Sequence, residues 1–257
     1  MSGGEGAVLT EIRGTTLVIT VNRPSSRNAV NAAVAAGIGA AVDELEGHRT
    51  LRAGVLTGAG GTFCAGMDLK AALAGESPDL PGRGFGGLTR AVTTKPLIAA
   101  VEGFAIGGGF ELALACDLVV AADDARFGLP EVARGLVAAG GGGVRLPNRI
   151  PYHLAMELLL SGEPIGADRA AQLGLVNRLV PAGQTLAVAL GLAERLAASA
   201  PLAVAAVKRI VDAAFEASES AAFEVQDREM TVLGRSADIR EGMTAFAERR
   251  APVWRGR

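Results

Sequence analysis

The sequence is poor in the residues that build metal centres and disulfide frameworks. Its 257 residues include two cysteines, Cys64 and Cys116, and two histidines, His48 and His153. Two cysteines exclude a disulfide scaffold, a Cys-rich zinc site and a Cys-ligated iron–sulfur cluster. Two histidines leave little material for a His-based site, so no metal is expected. Charge of one sign is also missing. Lys and Arg number 25 against 27 Asp and Glu, a net charge of −2, without the basic surplus of a general nucleic-acid or anionic-membrane binder. A small basic pocket for a phosphorylated ligand stays compatible with that balance. No apolar run reaches about 18 residues free of charges and helix breakers, so no membrane span is expected. Met1 to Gly6 is polar and Gly-rich, unlike a secretory signal. A soluble, cytoplasmic globular protein is the resulting expectation. Two nucleotide and hydrolase signatures are absent: there is neither a G-x-x-x-x-G-K-[ST] loop nor a G-x-S-x-G elbow.

What is abundant is apolar and small. Hydrophobic residues make up 49% of the chain, aromatics only 4%, and glycine numbers 35, roughly twice its usual share of about 7%. Val8 to Arg13 and Thr15 to Val21 read as β-branched strands turning at Gly14. Ala29 to Glu46 places Val34, Ile38, Val42 and Leu45 on one helical stripe. Ala53 to Thr57, Leu97 to Val101 and Leu118 to Ala121 read as buried strands, and Gly107 to Cys116 as a helix. Their alternation points to an α/β core. Residues Gly75 to Gly87 are dense in Gly and Pro and read as a mobile surface loop. The G-x-G-x-x-G letters at Gly82 to Gly87 fall inside it, not between a strand and a helix, so no dinucleotide site is expected there. After Ala167 the chain turns helical, over Gln184–Ala198, Leu202–Phe215, Ser220–Leu233 and Asp238–Arg249. We divide it into a core over residues 1–195 and a helical region over 196–257, a cap on the active site or an oligomerisation surface. No sequence-identical repeat is visible.

Three segments stand out chemically. Gly103-Phe-Ala-Ile-Gly-Gly-Gly-Phe-Glu111 follows a strand and opens a helix. Glycines at a helix start bring free N–H groups close to a ligand, and Glu111 lies one turn from them. Tight packing and an ordinary first-turn acid explain the same residues equally well. Phe127-Gly-Leu-Pro130-Glu131 is good helix-start chemistry, and alone means little. Thr57 to Lys70 carries a Gly-rich turn with a second set of N–H groups. Two independent N–H sources can stabilise charge developing on a carbonyl oxygen. Cys64, with no cation nearby to activate it, reads as a small buried filler. His48 reads as a solvated loop residue and His153 as structural.

At these segments the sequence resembles the crotonase (enoyl-CoA hydratase/isomerase) superfamily. The matching residues run in order along nearly the whole chain: Asn22-Arg-Pro…Arg-Asn28-Ala, Cys64-Ala-Gly-Met-Asp-Leu, Ala100 through Asp117, Phe127-Gly-Leu-Pro-Glu131, Gly174-Leu-Val-Asn177 and the tail Ala245 through Gly256. The tail and the Gly-Gly-Gly-Phe-Glu-Leu-Ala-Leu-Ala stretch are most similar to the carnitinyl-CoA dehydratase branch. The resemblance implies an α/β spiral of ββα repeats with C-terminal helices that form trimers, often paired into hexamers. It places an oxyanion hole on the N–H groups of Met67 and Gly108, and the two hydratase glutamates on Glu111 and Glu131. Ala65, Met67, Asp68, Leu69, Lys70 and Gly108 fall on the acyl-CoA site. Lys70 and Arg249 are expected at CoA phosphates, and Phe246 near adenine. No cofactor is implied, because coenzyme A is part of the substrate. Both glutamates are present, which favours hydration of an enoyl-CoA. Dehydration or epimerisation of a carnitinyl-CoA-like thioester, double-bond isomerisation and non-catalytic acyl-CoA binding are the alternatives.

Overall fold

Strands that are apolar on both faces belong in the middle of a parallel sheet, and three stretches of this chain have that character. In the computed structural model, which describes residues 6–257, they are β3 (Ala53–Gly58), β6 (Leu97–Val101) and β8 (Leu118–Ala122). All but Gly6 of the polar opening Met1 to Gly6 lies outside the described residues. The hairpin β1 (Val8–Arg13) and β2 (Thr16–Val21) forms one edge, and β11 (Arg178–Val180) the other. The order is β1-β2-β3-β6-β8-β11, with every pairing after the first parallel.

Strand alternation sorts the side chains onto two faces. Ala53, Val55, Ile98, Ala100 and Val120 meet Ala189 and Ala193 of α7 (Thr185–Ala197). Leu17, Ile19, Leu56, Leu97, Ala99 and Val101 join Val34, Ile38, Val42 and Leu45 of α1 (Ala32–Gly47) in the main core. The α1 stripe is the one that the apolar spacing predicts. Its start moves to Ala32 because the Asn31 side chain caps it, accepting from the Val34 N–H at 3.1 Å.

The chain advances as a repeated turn. Each turn runs through a strand of the large sheet, a second strand segment beside it and then a helix. β6 leads to β7 (Phe104–Ile106) and α3 (Gly108–Ala115); β8 leads to β9 (Arg126–Gly128) and the 3₁₀ turn Pro130–Arg134. β3 leads to Cys64, bridged in parallel to Ala105, and then to α2 (Leu69–Leu73). β7 and β9 pair in parallel, and β10 (Ile165–Gly166) closes that small sheet antiparallel to β9. The repeat is structural and carries no repeated sequence, and its second strands are too short for side-chain alternation to reveal.

Beyond it lie α4 (Gly142–Arg145), α5 (Tyr152–Ser161) and α6 (Ala167–Gln172), then α8 (Pro201–Glu216), α9 (Glu219–Gly234) and α10 (Ala237–Glu248). Among the described residues no single helix is long and apolar enough to cross a membrane.

One expectation is corrected. Residues Gly75 to Gly87 are a surface loop only in part: their first half is largely exposed, but they include the hairpin β4 (Asp79–Leu80) and β5 (Gly84–Phe85), and residues 85–87 are buried. Phe85 is only 7% exposed, and Leu88 and Thr89 behind it are buried. The Gly and Pro density that reads as a loop serves tight turns around an aromatic anchor. If that packing holds the segment, Phe85→Ala removes about 3–5 kcal/mol of stability, the range for a buried phenylalanine. A change within about 0.5 kcal/mol in denaturant unfolding, as at surface positions, would restore the loop reading.

Candidate functional site

The three chemically distinctive segments occupy the same step of three successive turns, between the second strand and the helix. Backbone hydrogen bonds draw them together. Cys64 N–H donates to Phe104 O at 2.8 Å, Ile106 N–H to Cys64 O at 3.1 Å, and Gly107 N–H to Gly128 O at 2.8 Å. Gly66 and Gly107 sit at φ of 94° and 58°, where a side chain is strained. A Cβ on Gly66 would also stand 2.7 Å from Ile106 O and 3.2 Å from Gly108 N. The backbone turn at Met67 therefore lies directly against the start of α3. A Cβ on Gly108 would overlap the Phe85 ring. The N–H groups of Met67 and Gly108 donate to no acceptor among the described residues.

A cleft of about 240 Å³ opens over these groups, lined by Ala65, Met67, Leu69, Phe85, Gly108, Glu111, Glu131 and other residues. Glu111, in the first turn of α3, is 3% exposed. Its Oε1 accepts the Gly142 N–H at 2.9 Å, and a Cβ on Gly140 would stand 2.6 Å from its Oε2. Burial pushes the carboxyl above the ordinary glutamate range, and the nearby Glu131 adds to that rise. The Gly142 and Gly140 backbone and the Arg145 guanidinium oppose it. Glu131, half-buried at the start of its 3₁₀ turn, is also raised chiefly by burial, against a lowering from its own backbone N–H and then from Arg134. Its Oε2 is buried without a hydrogen-bond partner.

Of the residues that the resemblance assigns, Ala65, Met67, Leu69, Gly108, Glu111 and Glu131 meet at this cleft. Asp68, Lys70, Phe246 and Arg249 are not among its lining residues. Asp68 caps α2, accepting from the Lys70 and Ala71 N–H groups at 3.1 Å each, and pairs with Arg23 at 2.9 Å. Those hydrogen bonds and the Arg23 cation hold its pKa low. Lys70 is exposed on α2. Phe246 is 87% exposed on α10, and Arg249 caps that helix in the left-handed conformation. Cys64 is buried, and desolvation pushes its thiol up to about 12, as an inert filler requires. Among the described residues no three His, Cys, Asp or Glu side chains come together as metal ligands.

Sequence reasoning missed four participants: Phe85 beneath Gly108, the glycine run Gly140–Gly143 that donates to Glu111, Arg145 beside that run, and Asp79 in the cleft lining. A four-glycine run after Ala138-Ala139 is itself a signal of close backbone approach.

A cleft with free N–H donors, one buried glutamate and one half-buried glutamate lies at the helix starts of the repeated turn. The profile of the enoyl-CoA hydratase/isomerase family matches residues 11–257, and the chain belongs to that family. A carnitinyl-CoA dehydratase of Proteus mirabilis is 42% identical over 254 residues, covering 95% of this chain and 97% of that protein. The enoyl-CoA hydratase EchA19 of Mycobacterium tuberculosis is 43% identical over 256 residues, covering 97% and 96%. Among solved structures, an enoyl-CoA hydratase from Mycobacterium tuberculosis superposes with a TM-score of 0.96 at 53% identity, over 98% of this chain and all of that one. A carnitinyl-CoA hydratase from Mycobacterium avium gives 0.79 at 46% identity, over 99% and 100%.

The raised carboxyls carry a consequence for stability. Below the ordinary glutamate value of 4.5 both groups are neutral in folded and unfolded chains. As pH rises through 4.5 and on through the raised folded values, the unfolded chain ionises first, and the fold is penalised. Glu111→Gln and Glu131→Gln should each raise Tm at pH 8 and lose that gain at pH 4. Calorimetry showing equal gains at both pH values would contradict the burial-driven shifts.

Proposed function

We propose that the protein hydrates enoyl-CoA thioesters. The observation that carries this reading is the pairing of a buried and a half-buried glutamate in one cleft with two free backbone donors. Donors aimed at a thioester oxygen stabilise the enolate-like charge that forms when water adds at Cβ. In a water-excluded site such fixed dipoles act without metal assistance.

The two carboxyls differ in a way that suits two tasks. Glu111 accepts an N–H bond, which favours its ionised form. It takes a proton from water as the water oxygen bonds to Cβ. Glu131, held above its ordinary value by burial, delivers a proton to Cα. The sum is one water added across the 2,3 double bond, and a proton passing from Glu111 to Glu131 restores the starting state. The substrate is an acyl-CoA, with coenzyme A as part of it and no separate cofactor.

The same groups run the reverse reaction, so dehydration of a hydroxyacyl-CoA differs in substrate, not in machinery. Asp79 favours that second reading for a carnitinyl thioester, as in the relatives bearing that name. Asp79 lines the cleft and forms no ion pair among the described residues, and a quaternary ammonium tail would match its charge. Loss of conjugated absorbance from a panel of enoyl-CoA thioesters, with a crotonobetainyl thioester among them, separates the two.

Replacing Glu111 or Glu131 by Gln should lower kcat by roughly 10²–10⁴, the range for general acid–base catalysis. The double variant should lose far less than the product of the single losses, because the groups act as a unit. Normal hydration by Glu111→Gln beside a dead Glu131→Gln would replace this mechanism with a single-carboxylate isomerase.

Self-association belongs to the same reading. The C-terminal helices expose Phe215, Phe223, Met230, Met243 and Phe246, more large apolar surface than a monomer leaves uncovered. Light scattering should return three or six times the 26.0 kDa chain mass; a single chain mass at micromolar concentration would overturn it.

A further inference from the structure

The reading above uses the two glutamates and the two donors, and leaves Arg145 unexplained. Arg145 ends α4, and its own N–H donates to Gly141 O at 2.8 Å. Its side chain is half-buried, and its guanidinium reaches two separate pieces of chain. Nη2 donates to Thr89 O at 2.6 Å, and Nη1 to Gly140 O at 3.4 Å. A side chain at Gly141 would overlap Nη1, so the glycine run lies flat against the guanidinium.

Each of those pieces supports one half of the candidate site. On the Thr89 side, Thr89 N–H donates to Phe85 O at 3.2 Å, and the Phe85 ring packs where a Gly108 side chain would be. On the Gly140 side, the next residue but one, Gly142, donates to Glu111 Oε1 at 2.9 Å. Contacts therefore run in sequence from Gly108 through Phe85, Thr89, Arg145 and Gly140 to Glu111. Because Gly108 and Glu111 both belong to the first turn of α3, the path closes on itself.

We propose that Arg145 is a positioning residue for the reaction: its two-pronged guanidinium locks the support of the Gly108 donor to the support of the Glu111 carboxylate. This rests on the hydratase reading. A planar fork with donors in fixed directions can hold two carbonyls of different segments at once, which a lysine ammonium on a flexible stem does less well. The guanidinium also brings positive charge near Glu111, which favours the ionised form that a base needs. The charged and titratable groups around the pair come from several elements. Glu131 faces Glu111 from the 3₁₀ turn. Asp212 of α8, Cys116 and Glu111 itself face Arg145, and Arg149 lies close enough to feel its charge.

The test compares Arg145→Met and Arg145→Lys with the unaltered protein in steady-state hydration of a short enoyl-CoA, across pH and with melting curves alongside. Arg145→Met should lower kcat by about 10- to 100-fold, the scale of a misplaced catalytic group, with KM changed less than about threefold. The acidic limb of its pH–rate profile should move to higher pH, because Glu111 loses its cation and the support of its donor loop. Arg145→Lys should return that limb toward its original position and recover kcat only in part, separating charge from fork. A lower melting temperature with unchanged kcat and unchanged pH profile in Arg145→Met would make the residue merely structural and overturn the proposal. If Arg145→Met does not fold, Arg145→Lys decides: full kcat overturns the proposal, and a reduced kcat with the limb in place supports it. Glu111→Gln is measured beside them. Full activity there defeats the hydratase reading itself, whereas an inactive Glu111→Gln with undisturbed Arg145 variants defeats this inference alone.

Discussion

The candidate site depends on one close approach. The segment through Gly66 runs against the carbonyl of Ile106 at a distance that a Cβ could not tolerate. From that approach the rest follows. Met67 and Gly108 bring their N–H groups to one place, and α3 begins beside them. Glu111, one turn into α3, then falls on the same cleft wall. The helix needs its first N–H groups satisfied from outside, and here a cleft stands before one of them. The glycines at this point trade conformational entropy in the unfolded chain for backbone donors that no side chain screens.

Electrostatics sharpens what the packing assembles. Desolvation raises both glutamates, yet their surroundings answer it differently. Glu111 is given a backbone donor and a nearby guanidinium, both favouring charge. Glu131 is given a hydrogen bond from its own backbone N–H and the Arg134 cation. Because each charge disfavours the other, the pair titrates as a unit, and a bell-shaped pH profile would report the pair.

How far the sequence was legible follows from how local each signal is. The strands Leu97–Val101 and Leu118–Ala122 and the helix of Glu111 are read from composition and turn residues. Phe127 to Glu131 and Cys64 to Leu69 are placed by their resemblance to a family. The misread stretch shows the limit. Gly82, Gly84, Gly86 and Gly87 all sit at positive φ, so their density does mark turns. What it cannot report is that Phe85 between them is an anchor for Gly108, since that contact spans more than twenty residues of chain. β7, β9 and β10, at two or three residues each, are too short for alternation to show. Arg145 is equally silent: in sequence it is one arginine after a glycine run, and its two carbonyl partners lie on different segments.

The repeat explains why a single chain can gather these parts. Three turns of different sequence deliver, at the same step, an N–H donor at Met67, a donor and a carboxyl at Gly108 and Glu111, and a second carboxyl at Glu131. Lateral hydrogen bonds between successive turns hold the steps in register, so the spacing of the chemical groups is set by strand geometry rather than by loop conformation. A site built on paired strands is held more tightly than one built on free loops. Leu136, Val137 and Asp79, which also line the cleft, lie outside those steps, Asp79 in β4 and the other two beyond the 3₁₀ turn. The groups proposed to react are thus held by the repeat, and the remainder of the cleft lining by segments outside it.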